Sequence, residues 1–117
     1  MIDPQKTIDR NLAFGNKQQF DTGKYDWYLD YSMMREEIRE FLLASDSDDK
    51  VEMVDACIDV IFVALWTLHK LWLDAESITR AYDEVCRSND SKIGAKKRDG
   101  KVTKGENYSP PNLNFVL

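Results

Sequence analysis

A chain of 117 residues and 13.6 kDa has room for one compact domain, or for one protomer of a helical oligomer. Its 43% hydrophobic and 32% charged content excludes a disordered tail and a collagen-like polymer. The net charge of −5 sets the molecule as a whole against nucleic acid polymers and anionic membranes, so phosphate binding has to come from a local basic patch. Two cysteines, Cys57 and Cys86, with no basic and apolar leader at Met1, point to a reducing compartment and hence to the cytoplasm. A single histidine, His69, speaks against a histidine-based triad or a His-rich zinc site, and two cysteines are too few for an all-thiolate zinc cluster. The chemistry must run on carboxylates.

Residues 1–24 are polar throughout, with scattered apolar Leu12, Phe14 and Phe20 and with Gly15 and Gly23, and read as an arm with one short helix. Residues 25–88 form a helical core. From Tyr25 to Ala44, apolar residues at Trp27, Tyr28, Tyr31, Met34, Ile38, Phe41 and Leu42 recur at three- and four-residue spacing, which predicts an amphipathic helix. The turn-prone run Ser45 to Asp49 ends it, and Asp48 or Asp49 is placed to cap the next helix. That second helix, about Lys50 to Leu73, is apolar from Met53 to Trp66 except at Asp55 and Asp59, so it is expected to be buried nearly all round. The run falls short of the ~20 residues that a bilayer span needs. Asp74 then reads as the N-cap of a third helix to about Ser88, with Ala75, Ile78, Tyr82 and Val85 as its apolar stripe.

Residues 89–117 change character. Asn89 to Asn107 holds six basic and three acidic residues punctuated by Gly94, Gly100 and Gly105, and reads as a basic loop or lid; Asp26 to Asp59 carries three basic against eleven acidic residues. The tail around Pro110-Pro111 is extended by proline sterics and is expected to pack through Tyr108, Leu113 and Phe115.

At ~100° per residue, Glu52, Asp55 and Asp59 lie along one stripe of the second helix. A bare carboxylate in apolar surroundings must be neutralised, paired or bound to a metal. The preceding helix offers Glu36, Glu37 and Glu40, of which Glu37/Glu40 or Glu36/Glu40 share a face. If the two helices are antiparallel neighbours, three to five carboxylates converge, and an oxygen-only donor set selects Mg2+ or Mn2+. Beside a lysine-rich segment, such a cluster points to a nucleotide polyphosphate substrate. On spacing alone two other readings stand: the glutamates as a solvated face paired with Arg35 and Arg39, and the aspartates as structural partners of a base such as Arg39.

Glu36-Glu37-Ile38-Arg39-Glu40, then Glu52-Met53-Val54-Asp55 with Asp59 four residues on, resembles the ExxE…ExxD pattern of the MazG-like, all-α nucleoside triphosphate pyrophosphohydrolases. Val85 to Lys92, Asp99 to Lys104 and Tyr108 to Pro111 are similar to the C-terminal half of short bacterial and phage members. This resemblance implies an antiparallel helical bundle completed as a homodimer or homotetramer. It implies hydrolysis of (d)NTPs to monophosphate and pyrophosphate in nucleotide-pool house-cleaning. It also implies Mg2+ ligation by Glu37, Glu40, Glu52, Asp55 and Asp59, with Glu37, Glu40 and Asp59 catalytic, and substrate contacts from Asn89, Lys92 and Lys104. Phosphoribosyl-ATP and dUTP-type substrates belong to the same chemistry. The pattern departs from its relatives at Ala56, where many carry a glutamate, and in a basic residue displaced into Lys96-Lys97-Arg98.

Other residues carry less. His69 reads as a helix-end or packing residue and Cys57 as a small hydrophobe. Trp27, Tyr28 and Tyr31 read as core, with Trp27 kept as a candidate for base stacking, and Lys96 to Arg98 as a solubilising run. The rival outside enzymology is a helical interaction module with structural aspartates.

Overall fold

The computed structural model describes residues 1–16 and 25–117; Phe20 and Gly23 of the predicted arm lie outside them. Among the described residues the fold is all-α apart from one small ribbon. Its helices are α1 (Pro4–Ala13), α2 (Trp27–Asp46), α3 (Lys50–Lys70) and α4 (Ala75–Asp90), followed by β1 (Lys97–Arg98), β2 (Lys101–Val102) and a 3-10 turn at Asn114–Val116. They divide into two compact units, Met1–Ala75 and Glu76–Leu117. No helix among the described residues is long and apolar enough to cross a membrane.

In the first unit, α1 is the short helix expected in the arm. Asp3 caps it by accepting the Gln5 N–H at 2.9 Å, with Pro4 at its first position, and it packs on α3 with Thr7, Ile8 and Asn11 buried. Asp26 starts α2 by accepting the N–H groups of Tyr28 and Leu29.

The acidic run between α2 and α3 is a compact joint. Asp48 adopts φ 54°, its N–H reaches the Ser45 carbonyl at 3.1 Å, and the Asp49 N–H reaches the Ala44 carbonyl at 2.9 Å, a Schellman closure with aspartate in the left-handed position. Asp49 then turns round and caps α3 by accepting the Glu52 N–H at 3.1 Å. So short a joint folds α2 and α3 into an antiparallel hairpin, with Ala44 and Ala56 buried.

The α3 helix stops at Lys70, three residues before the expected end, through the same device. Trp72 takes φ 74°, its N–H bonds His69 O at 3.0 Å, and the Leu73 N–H bonds Leu68 O at 3.3 Å. His69 closes this end, its Nδ1–H donating to the Leu73 carbonyl at 3.0 Å while the ring lies 5.4 Å from that of Trp66.

One expectation is corrected here: α3 is not buried all round in the single chain. Ala56, Val63, Trp66 and Thr67 are buried, but Val51 is 76% exposed, Ile58 is 54% exposed, and Val54, Cys57 and Ile61 are exposed as well. A single neighbouring helix pair covers only one side of a helix that is apolar on both. Trp27, Tyr28 and Tyr31 are likewise exposed instead of core.

The open end of the hairpin is closed by an ion pair. Lys70 Nζ donates to Asp30 Oδ1 at 2.9 Å, with the two side chains 9% and 3% exposed. Lys70 also lies 5.7 Å from the Tyr25 ring centroid. Burial, then the Asp30 carboxylate beside it, pushes the Tyr25 phenol up to about 12.

In the second unit, α4 starts at Ala75 as expected and runs two residues beyond Ser88. Tyr82 and Val85 are exposed, not part of a buried stripe; Ile78 and Ser88 are the buried positions. The predicted loop contains a β-hairpin, β1 pairing antiparallel with β2 through Lys97–Val102 and Arg98–Lys101. Asp99 and Gly100 form its turn with φ 51° and 76°, the two positive values a type I′ turn requires. The tail packs on α4: Arg80 stacks over Phe115 at 4.0 Å, and Arg87 donates to Ser109 Oγ and Pro110 O, both at 3.0 Å.

Removing one member of a buried pair strands the other charge. Asp30→Ala is therefore expected to destabilise the protein by about 3–5 kcal/mol in urea unfolding, whereas the double change Asp30→Leu, Lys70→Met recovers most of that loss.

Candidate active site

Three carboxylates meet between α2 and α3. Glu37 and Glu40 project from one face of α2, one turn apart, and Asp59 comes from the side of α3 that packs against α2; each offers an oxygen atom within 4.8 Å of the others. The hairpin dictates this: Asp30 opposes Lys70 and Glu37 opposes Asp59, so partner positions on α3 fall as those on α2 rise.

Like charges held so close resist ionisation. Glu37 is pushed up to about 7, first by burial, then by its hydrogen bond with Glu40, then by the charges of Asp59, Glu40 and Glu36. Burial also raises Asp59, followed by the charges of Asp55 and Glu40, while its hydrogen bond with Glu37 works the other way. Glu37 therefore holds the proton the cluster shares near neutral pH.

Glu37 Oε2 is buried with no hydrogen-bond partner. Among the described residues no basic side chain forms an ion pair with Glu37, Glu40 or Asp59; the buried acid that is capped by a base is Asp30. A self-repelling, all-oxygen donor set with an orphaned buried oxygen fits a hard divalent cation.

Not every predicted ligand stands in this group. Glu52 is exposed in the first turn of α3, and Asp55 is exposed and reaches Asp59 through its charge alone. Ala56, 2% exposed, fills the helix interface one turn before Asp59. Trp27 is exposed at the start of α2, its ring edge-on to Tyr28 at 5.7 Å.

The residues expected to meet substrate in the second unit are gathered around one ring. Lys92 Nζ donates to Asn89 Oδ1 at 3.1 Å, and the ammonium groups of Lys92 and Lys104 lie 5.7 and 5.0 Å from the Tyr108 centroid. Beside them is a cavity of about 520 Å³ lined by Asn89, Lys92, Ile93, Lys97, Lys101 and Val102 among others. Lys104 is not in its lining, whereas Lys97, read from the sequence as part of a solubilising run, and Lys101 are. The usable signal was Asp99-Gly100 between two short β-compatible pairs, which makes a hairpin of what composition alone reads as a charged loop.

Residues 13–89 match the family model described as phosphoribosyl-ATP pyrophosphohydrolase. The match covers α2, α3 and α4 up to Asn89, and so includes all three converging carboxylates; the β-hairpin and tail lie beyond it. No curated protein matches the chain.

The raised Glu37 has a sign that stability measurements read. Without divalent cations, the unfolded chain loses this proton near 4.5 and the folded chain near 7, so folding stability falls as pH rises through that window and levels off above it. Glu37→Gln is expected to flatten this fall and to raise Tm at pH 8 in EDTA. Parallel pH profiles for the two proteins would contradict the assignment.

Proposed function

Because the chain belongs to the phosphoribosyl-ATP pyrophosphohydrolase family, within the MazG-like all-α superfamily, it is a pyrophosphohydrolase of phosphoanhydride bonds, and we propose that it converts (d)NTPs and water to (d)NMPs and pyrophosphate. The observation that carries this reading is the meeting of Glu37, Glu40 and Asp59 without a basic partner among the described residues. Membership in a hydrolase family sets aside the interaction module. The family description favours a second reading, in which the same bond is cut in phosphoribosyl-ATP.

In the proposed mechanism Glu37, Glu40 and Asp59 hold Mg2+, or Mn2+ in its place, with Asp55 and Glu52 at the exposed edge adding negative charge. The ion, when bound, neutralises phosphoryl oxygens and lowers the pKa of a water. The chain's own part is to hold the three acids in register and to accept the proton of the attacking water on a carboxylate. Asn89, Lys92 and Lys104 contact the substrate's phosphates or sugar, and Trp27 is the stacking candidate for its base.

The exposed apolar residues Val51, Val54, Ile58 and Ile61 recur along one side of α3, with Ile38 and Leu42 exposed on α2. Such a surface is larger than scattered apolar residues require, and we assign it to contact between copies in a cytoplasmic homodimer or homotetramer.

Three outcomes are expected. Pyrophosphate release from a panel of NTPs, dNTPs and phosphoribosyl-ATP requires Mg2+, and Glu37→Gln lowers kcat on the order of 100-fold or more with the fold retained. Absence of turnover on every member of the panel would end the reading. Mg2+ competes with the Glu37 proton, so its affinity, followed by thermal shift, is about 10-fold weaker at pH 6 than at pH 8. Ile58→Glu converts the oligomer to monomer in sedimentation velocity; an unchanged sedimentation coefficient would remove α3 from the interface.

A further inference from the structure

Arg87, on the last turn of α4, commits every nitrogen of its guanidinium to one corner of the second unit. Nε donates to Glu84, one turn back on the same helix, while Nη1 donates to Ser109 Oγ and Nη2 to the Pro110 carbonyl, both at 3.0 Å. Ser91, just past the helix, holds the same point of the tail: its Oγ accepts the Ser109 N–H at 2.8 Å. The residue before this doubly held serine is Tyr108, whose own N–H reaches the Gly105 carbonyl at 3.2 Å. The backbone is therefore tied down on both sides of Tyr108, and the place of its ring is fixed.

What the ring touches gives this latch a use. The ammonium groups of Lys92 and Lys104 lie 5.7 and 5.0 Å from its centroid, within the ~6 Å reach of cation–π attraction, although as like charges they repel each other. A free lysine samples many rotamers, whereas one held against a ring presents its charge with that freedom already lost. Stability alone does not account for the arrangement. The Arg87 side chain is 48% exposed, and an ion pair so open to water contributes little to folding.

We propose that Arg87 is a positioning residue for the hydrolysis: by latching Ser109 and Pro110 it fixes the Tyr108 ring, and through that ring Lys92 and Lys104. Arg87 reaches the substrate only through these two lysines, so its part in turnover rests on the function proposed above, whereas its hold on the lysines does not. The latch needs the planar fork of a guanidinium. A lysine in its place keeps the charge but not the fixed, divergent donors that meet Glu84, Ser109 and Pro110 together.

The test combines NMR and kinetics on the full chain. The ring current of Tyr108 displaces the ε-methylene signals of Lys92 and Lys104, and Arg87→Gln is expected to return both to the positions of a solvated lysine, as is Arg87→Lys. Tyr108→Phe keeps the displacement and Tyr108→Leu abolishes it. In steady-state kinetics with Mg2+ and the nucleotide turned over fastest, Arg87→Gln raises KM about 5–10-fold with kcat within about 2-fold, and Tyr108→Phe keeps the wild-type KM. Introduced into the Lys92→Gln, Lys104→Gln background, Arg87→Gln changes KM less than about 2-fold further, because the groups it positions are gone. Ser109→Ala, which removes one acceptor and no charge, shows the same effects more weakly and serves if loss of Arg87 impairs folding. Lysine signals unmoved by Arg87→Gln, or a KM rise that adds in full to that of the lysine variant, overturn the proposal. Absence of turnover on the whole nucleotide panel ends the function proposed above and leaves the latch to be decided by the lysine signals; normal turnover with unmoved signals faults the latch alone.

Discussion

The first unit depends on a contest between like and unlike charges across one helical hairpin. At its open end Asp30 and Lys70 attract each other with almost no solvent between them; about two to three turns further along, Glu37, Glu40 and Asp59 repel. The attractive pair and the Schellman joint at Asp48-Asp49 fix the two ends of α2 against α3, so the acids between them cannot relax by separating the helices. Their remaining response is to retain a proton, and Glu37 retains it. The cluster is thus held together by parts of the hairpin that do not touch it.

The sequence made the hairpin and its acids legible for a physical reason. Glu37/Glu40 and the stripe through Asp59 follow from helical periodicity, and an acid-rich turn too short for any other arrangement forces the two helices to face each other. What periodicity does not contain is which acids reach the interface. Asp55 and Asp59 look equivalent on a helical wheel, yet α2 covers only the Asp59 side, leaving Asp55 in solvent. The Asp30–Lys70 pair was invisible for a related reason: its members are forty residues apart and neither belongs to a local pattern.

In the C-terminal unit composition misled. Lysines and glycines in alternation read as a loop because β-propensity there is weak and the strands are two residues long. The ribbon exists because Asp99-Gly100 adopts a conformation that matches strand twist, a local effect that outweighs the average character of the segment. The apolar character of α3 was also legible, but not its distribution. Apolar residues on every side of a helix specify how much surface must be covered, not whether the same chain covers it.

Ala56 limits the acidic centre to three members. At 2% exposure on the helix interface, one turn before Asp59, it is a methyl group where a fourth acid would otherwise project inward. The centre thus gathers three carboxyl groups and not four, with Glu37 keeping a proton among them. A fourth acid at this position would add to the mutual repulsion and drive a further carboxyl towards its neutral form. Close packing of one alanine thereby limits how strongly the acids of the hairpin oppose one another.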